Sequence, residues 1–505
     1  MTTWPTAQEA DLCLLLEGTF PFVSGGVSSW VNQIIRAFPE YRFALVFLGS
    51  RPQDYADAKY PLPDNVVHLE CHYMHTPIEA PMVRPLPGDA TTFADVARLH
   101  AAFRNQRGHP DGQAAFTRLA PELLDGGKLD RDTFLFSEHA WEFIKHHYCQ
   151  HSTDPSFVDY FWTIRAMHQP IWTLAGIAER LPQAAAFHTI STGYAGFLGA
   201  MLKWRRQRPL ILSEHGIYTK ERKIDLFQTE WIADNRNIFQ KNATEISYFR
   251  QLWIRFFESL GKLCYDASDQ IIALYEANRL RQVQDGAEAA RTRNIPNGIN
   301  LKALAPLRDQ RPADAPPILC LIGRVVPIKD IKTFIRAMRT VVNRIPQAEG
   351  WIAGPEDESP DYAAECRNLV ASLGLTRNVR FLGFQKIADL LPRIGLVVLS
   401  SISEALPLVL LEGYAAGVPG ISTDVGSCRQ LIYGDTPEDQ AIGPSGRVVG
   451  IADPQALANA ALELLTDPAA WHAAQAAAIE RVERYYTLER TIDQYRDVYR
   501  GAIAH

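Results

Sequence analysis

Short apolar runs alternate with stretches of helical periodicity along most of the chain. The runs at residues 12–16, 43–48, 66–69, 184–187, 210–212 and 270–274 predict strands in the first half. Those at 318–322, 350–353, 379–382, 396–399, 420–422 and 447–449 predict them in the second. Such near-continuous apolar runs suit parallel strands covered on both faces. After the first run, Val27, Trp30, Val31, Ile34, Ile35 and Phe38 form one helical stripe. Ile331, Phe334, Ile335, Met338, Val341, Val342 and Ile345 repeat it after residue 322. Both halves thus open as strand, glycine-bearing turn and amphipathic helix, which predicts an α/β chain of two Rossmann-like domains.

The expected domains are residues 1–302 and 303–486, joined near 296–298 and the polar, Pro-rich stretch 305–317. A last helix within 487–505 carries an apolar face of Ile492, Tyr495, Val498 and Tyr499 that needs a partner, and it is expected to cross back to the first domain. One segment breaks the rhythm. Between Cys71 and Ala184 no strand is convincing; the stretch begins with Pro77, Pro81, Pro85 and Pro87 and reads as helical from about Phe134. A loop of that length is improbable inside a compact domain, so about 76–180 is read as a helical insertion.

Charge narrows the function classes. Of 505 residues, 47% are hydrophobic and 21% charged, and the net charge is −6. That is an ordinary globular composition, and its acidic balance argues against a general nucleic-acid binder. No apolar run approaches the roughly 18 residues that span a bilayer, and the first residues lack the order of a signal peptide, so a cytoplasmic protein is expected. The seven cysteines are scattered, with no C-x-x-C, and read as small buried apolar residues.

Three segments carry candidate chemistry. Ser24-Gly25-Gly26 precedes a helix start, where bare backbone N–H groups suit a phosphate. Gly323-Arg324 with Lys329 follows a buried strand, and its two cations suit a diphosphate. Glu404 lies before a helix expected near Pro407, and Glu412 lies inside it; two such carboxylates can hold sugar hydroxyls. His188 and His215 each end or follow a strand and are both candidates for a ligand-facing histidine. Two histidine groups, His68/His72/His75 and His139/His146/His147/His151, are crowded but lack a recognised metal spacing. Lys203, Arg205, Arg206, Arg208, Lys220, Arg222 and Lys223 form a basic stretch that suits either an anionic membrane surface or a solvated face.

Together these motifs resemble the retaining GT-B glycosyltransferases of family four. The resemblance rests on Gly25-Gly26, Ile295-Pro296-Asn297-Gly298-Ile299, Arg324 with Lys329, and Glu404 followed eight residues later by Glu412. The segments Leu16-Glu17-Gly18-Thr19-Phe20-Pro21-Phe22-Val23-Ser24-Gly25-Gly26-Val27-Ser28-Ser29-Trp30, Ser213-Glu214-His215-Gly216-Ile217-Tyr218 and Arg324-Val325-Val326-Pro327-Ile328-Lys329-Asp330 are most similar to the cytosolic branch that serves bacterial Pel exopolysaccharide synthesis. The resemblance implies a GT-B fold of two facing Rossmann-like domains. It implies a UDP-sugar donor, UDP-glucose or a UDP-N-acetylhexosamine, a polysaccharide acceptor and inner-membrane Pel partners. It implies that Arg324 and Lys329 bind the donor diphosphate, that Glu404 holds the sugar and Glu412 the ribose, and that His188 lies near the transferred sugar, with His215 as alternate. Leu382, Gly383, Leu406 and Leu408 would line the nucleotide, and Gly25 and Gly26 would approach its phosphates from the other domain. Where many members read Glu-Gly-Phe-Gly, this chain reads Glu404-Ala405-Leu406-Pro407. No cofactor or metal is expected, since no D-x-D is suitably placed and a cation pair can stabilise the leaving group. Two other readings stay open: a non-catalytic nucleotide-sugar-binding subunit of a synthase complex, and a UDP-sugar epimerase of the same fold. An NAD oxidoreductase is disfavoured, because no G-x-G-x-x-G follows either opening strand.

Overall fold

The computed structural model describes residues 4–504 apart from 56, 76–85, 105–109, 125, 230–231 and 233–245. Two compact units divide the chain. The first comprises residues up to Ala273, Arg279–Arg293 and Arg496 onward; the second comprises Leu274–Asn278 and Asn294–Tyr495.

The first unit holds strands β1 (Glu9–Glu17), β2 (Phe43–Gly49), β3 (Val66–Tyr73), β4 (Gln183–Thr189), β5 (Leu210–Glu214), β6 (Gln270–Ala273) and β7 (Thr292–Asn294), in the order β3-β2-β1-β4-β5-β6-β7. The second holds β8 (Ile318–Ile322), β9 (Glu349–Ala353), β10 (Val379–Gly383), β11 (Leu396–Leu399), β12 (Gly420–Thr423) and β13 (Gly446–Val449), in the order β10-β9-β8-β11-β12-β13. All twelve expected strands are present. The short, polar β7 (Thr-Arg-Asn) is the addition, and its composition carries no apolar run to reveal it. Neighbouring strands from β1 to β6, and from β8 to β13, pair in parallel.

Continuous apolar runs are explained by burial on both faces. In the second sheet Leu319, Leu321, Ile352, Leu396 and Val398 pack into one core, against Phe334, Met338 and Leu457. Their alternating neighbours Cys320, Trp351, Ala353, Val397 and Leu399 pack into another, against Leu410, Tyr414 and Val482. Successive side chains point to opposite faces, so each short strand feeds two cores. Five cysteines are buried as expected; Cys71 is half-buried and Cys149 is exposed, which departs from the sequence reading.

The insertion is helical earlier than expected. Helices run at Ala90–Arg104, Pro110–Glu122, Arg131–Phe136, Glu138–His151 and Phe157–Arg180. The first was obscured because its apolar stripe is narrow and it also buries Thr92 and Asp95. Pro77, Pro81 and Pro85 lie outside the described residues. The last helix, Leu488–Ile503, buries Tyr495, Val498 and Tyr499 completely, while Ile492 is half-buried. Tyr499 packs edge-on against Phe38 at 5.2 Å, inside the first unit.

A buried cation fastens the second unit. Arg481, on the helix Pro468–Tyr485, is fully buried and donates to Asp439 Oδ1 at 2.6 Å, to the carbonyls of Ile432, Asp439 and Gly443, and to Ser445 Oγ. Truncating one partner of such a pair strands the other charge, which typically costs about 3–5 kcal/mol. Arg481→Ala is therefore expected to lose about that much stability in urea unfolding; a loss under about 1 kcal/mol would show that the network is not structural.

Candidate active site

In an open parallel sheet, ligands bind beyond the carboxyl ends of the strands, where the strand order reverses and adjacent loops diverge. The first sheet reverses between β1 and β4, the second between β8 and β11. Sequence candidates follow these four strands: Gly25 and Gly26 after β1, His188 near the end of β4, Arg324 and Lys329 after β8, and Glu404 after β11.

Within the second unit, side chains from the β8 and β11 loops meet. Lys329 Nζ donates to Glu404 Oε1 at 2.6 Å, and Ser401 Oγ donates to the same oxygen at 2.6 Å. Ser400 Oγ donates to the Lys329 carbonyl, and the Ile402 N–H to the Ile328 carbonyl, so backbone bonds sew the two loops together. Arg324 stands more exposed, with Nη1 2.5 Å from Glu358 Oε2. Asp330, at φ 42°, turns the chain and caps the helix Ile331–Arg344 by accepting from the Thr333 N–H. Gly354 is sterically required: a Cβ there would lie 1.9 Å from the Gly323 carbonyl oxygen.

Pro407 is the N-cap residue of the helix Leu408–Ala415, so Glu404 stays in the preceding loop and Glu412 falls inside the helix. Glu412 is half-buried, and burial raises its carboxyl above the usual range. Leu408 is half-buried, whereas Leu406 is buried in the core beside Val425 and Leu431. Leu382 and Gly383 end β10, at the edge of the sheet rather than at its switch point. Gly383 has φ +63°, with open space where a Cβ would stand. Sequence reasoning passed over three apolar side chains on these same loops: Phe384 (79% exposed), Ile402 (50%) and Ile328 (47%). An exposed aromatic directly after a strand-end glycine is the signal that marks Phe384.

In the first unit, Gly25 is the N-cap residue of the helix Gly26–Ala37 and has no side-chain cap. Both glycines are exposed, and nothing lies within 4 Å of a Cβ built on either. With no acidic residue in the first turn, this helix end is electrostatically open to an anion.

His188 is otherwise engaged. It is fully buried, with Nδ1 2.9 Å from the Tyr499 hydroxyl and Nε2 2.9 Å from Ser213 Oγ. Burial, with His215 nearby, pushes it down to about 3. The ring therefore acts as a neutral link between β4, β5 and the last helix. His215, 8% exposed, packs edge-on against Trp30 at 4.5 Å, and burial pushes it down to about 4.

Two carboxylates, Glu17 and Glu214, end strands β1 and β5. Glu17 accepts from the Tyr218 hydroxyl at 2.7 Å, from Ser191 Oγ at 3.0 Å and from the Ala195 N–H at 3.0 Å. Glu214 accepts from Tyr265, Gln282, Thr192 and the Tyr218 N–H. Burial raises Glu214 to about 7 against the pull of these donors. The strand-end rule that singled out His188 points equally to both.

Part of the basic stretch turns inward, while Arg205, Arg208 and Lys220 stay exposed. Arg206 donates to the carbonyls of Ala178, Glu179, Leu181 and Pro182, and Lys203 grips both oxygens of Asp269. Lys223 pairs with Glu258, and Arg222 donates to the Tyr218 hydroxyl. Charge reversal at Arg206 would thus perturb the fold before it tested any surface. The imidazoles of His68 and His72 both bond Glu70, which they hold at about 2. Among the described residues, no three His, Cys, Asp or Glu side chains group in a way that could hold a metal ion.

Comparison with known proteins places these features. Residues 10–290 match the family model "Domain of unknown function (DUF3492)", and residues 316–467 match "Glycosyl transferases group 1". A D-inositol 3-phosphate glycosyltransferase of Salinispora tropica is 29% identical over 248 residues, 46% of this chain and 49% of that protein. The chain spans about half the length of such curated relatives. Solved structures with the same fold include Anabaena HepE in complex with UDP (TM-score 0.57, 15% identity, covering 97% of this chain and 100% of that one). Sucrose-phosphate synthase from Thermosynechococcus elongatus is another (TM-score 0.57, 19% identity, covering 98% and 99%). The two parallel-sheet, Rossmann-like units are those of the GT-B fold.

Two outcomes follow from this chemistry. His188 at about 3 and His147, His168 and His215 at about 4 lie below the ordinary value of about 6.5. The unfolded chain binds more protons below pH 6.5, so their stabilisation is full above that pH and is lost as pH falls toward 4. Glu214, Glu221, Glu412 and Asp435 are raised by burial and act oppositely, losing stabilisation as pH rises, but His75, His100 and His151 are lowered as well, so the balance is four carboxyls against seven imidazoles. The melting temperature is expected to fall from pH 7 to pH 5; a flat or rising profile would contradict the burial assigned to these rings. Arg206→Gln should cost about 2 kcal/mol or more, since hydrogen bonds from a charged group are involved. Arg205→Gln, 3.8 Å from Glu179 and partly exposed, should cost under about 1 kcal/mol. Equal losses in chemical denaturation would remove the distinction.

Proposed function

The chain belongs to the family described as a domain of unknown function (DUF3492), and we propose that it is a retaining GT-B glycosyltransferase. In this reading it transfers a sugar from a UDP-sugar, UDP-glucose or a UDP-N-acetylhexosamine, to a growing exopolysaccharide of the Pel type. The enzyme is then of the PelF kind, recruited to inner-membrane Pel synthesis proteins. The observation that carries the reading is the meeting of Lys329 and Glu404 at the switch point of the second sheet, with Arg324 on the same loop as Lys329. The glycosyl transferases group 1 match over this unit and the UDP and UDP-glucose complexes of HepE support it.

The chemistry fits the residues. Breaking a sugar–phosphate bond leaves negative charge on the diphosphate and positive character on the anomeric carbon. Arg324 and Lys329 stabilise that leaving group as its charge develops, most strongly if they are placed beforehand. Lys329 is placed beforehand, because Glu404 and the Ser400 bond hold its side chain and backbone. Among the described residues Arg324 pairs with exposed Glu358, which a diphosphate can replace through the bidentate guanidinium face. Glu404, fixed by Ser401, keeps its second carboxylate oxygen for a sugar hydroxyl. Glu412 receives the ribose, the end of β10 at Leu382 and Gly383 receives the base, and Phe384 supplies an exposed ring for stacking. Leu408 borders the nucleotide, while Leu406 shapes the loop from within the core. Gly25 and Gly26 offer the first unit's helix N-terminus to an anion. His188 holds the last helix in place rather than touching the sugar. The diphosphate leaves and the acceptor attacks on the same face of the sugar, with a donor phosphate oxygen taking the acceptor proton, and no metal takes part.

Three measurements test this. Arg324→Ala should slow donor turnover by about a hundredfold, and Arg324→Lys should also slow it, because a point charge cannot reproduce the fork. Wild-type turnover in Arg324→Ala would remove the proposal. Glu412→Ala should weaken UDP binding in calorimetry more than it lowers kcat, since a ribose contact is alike in ground and transition states; the reverse pattern would misplace Glu412. UDP binding should be unchanged by EDTA; its abolition would make the cation clamp insufficient.

A further inference from the structure

The helical insertion and the helix Tyr248–Ala267 line a partly open cavity of ≈ 160 Å³ within the first unit. Its walls are apolar and come from several helices, including Leu99, Phe116, Leu119, Leu123, Trp172 and Phe256. An apolar cavity of about 150 Å³ stays dry and holds benzene, so this one has room for roughly six carbons. Well-packed interiors rarely keep such a space, and each neighbouring side chain forfeits dispersion contacts to maintain it.

One part of the lining is polar and cationic. Arg104, at the end of Ala90–Arg104, and Arg255, on the helix Tyr248–Ala267, both border the cavity. They are close enough for the Arg255 charge to weigh on Arg104, which burial already disfavours as a cation. No ion pair joins either guanidinium to a carboxylate among the described residues. Arg104 instead lies 3.2 Å from His147 Nδ1. Around it His100, His147 and His168 are held neutral by burial, so they add donors or acceptors but no counter-charge. Two neighbouring, partly buried cations without an anion are costly unless one binds there.

We propose that this cavity is a binding site for a medium-chain fatty carboxylate, its tail among the insertion's apolar side chains and its carboxylate between Arg104 and Arg255. The length follows from the volume: roughly six carbons plus the reach to the guanidinium groups gives a chain of about eight. The charge follows from the unmatched arginine pair. This site is separate from the strand-end residues of the second unit and does not depend on the glycosyltransferase reading.

The test is calorimetry on the full chain with octanoate, 1-octanol and octylammonium as probes, with Trp172 fluorescence as a second signal. Octanoate should bind saturably at one site per chain, about tenfold or more tighter than octanol, a factor equal to about 1.4 kcal/mol. Octylammonium should not bind. In the Arg104→Gln/Arg255→Gln double variant the preference for octanoate over octanol should vanish while octanol still binds. Leu119→Trp, which fills the cavity, should abolish binding of both; thermal melting checks that each variant is folded. Should that variant fail to fold, the charge-neutral double variant alone decides. Absence of saturable octanoate binding, equal affinity for octanol, or an unchanged preference in the double variant would each overturn the proposal.

Discussion

Burial of parallel strands on both faces is the constraint from which the rest follows. A strand such as Ile318–Ile322, feeding one core with Leu319 and Leu321 and another with Cys320, has no free face for chemistry. Polar function is pushed to the strand ends. There the chain must turn into a crossover helix and leaves unpaired backbone groups and room for side chains. The reversal of strand order then selects which ends matter. In the second unit it brings the β8 and β11 loops side by side, and Lys329, Ser401 and Glu404 join there.

The ion pairs in the second unit divide by burial and by what surrounds them. Arg481 and Asp439 are buried and surrounded by further acceptors, so every guanidinium nitrogen is satisfied and nothing is left for a ligand. That pair is structural. Arg324 and Glu358 are both about half exposed, a setting in which a pair is worth roughly 0–1 kcal/mol and exchanges easily for another anion. Lys329 and Glu404 lie between these limits, at 20% and 13% side-chain exposure. They are held firmly enough to be placed in advance, yet open enough to meet a substrate. This gradation, rather than the count of charges, separates residues fit to stabilise a leaving group from those that stabilise the fold.

Much of this was legible in the sequence, for a physical reason. Buried parallel strands require apolar runs, and amphipathic helices require a stripe, so the twelve strands and the helices after β1 and β8 could be read directly. The strand-end positions of Arg324, Lys329 and Glu404 could be inferred once the strands were placed. Other features depend on three-dimensional partners. The Tyr499 hydroxyl that occupies His188 is 311 residues away, and nothing local announces it. Arg206 looks like one of a row of surface cations until the carbonyls of residues 178–182 are seen around it. The first insertion helix was missed because its stripe is narrow and interrupted by the buried Thr92 and Asp95. Glu17 and Glu214 were within reach of the strand-end rule but had not been assigned.

The central claim is that the β8 and β11 loops of the second unit hold a nucleoside diphosphate. The most direct measurement is a crystal structure of the chain with UDP bound. The account predicts both phosphates within hydrogen-bond distance of the Arg324 guanidinium and Lys329 Nζ, with the ribose at Glu412. Diphosphate density elsewhere, or an ordered UDP that touches neither cation, would contradict it.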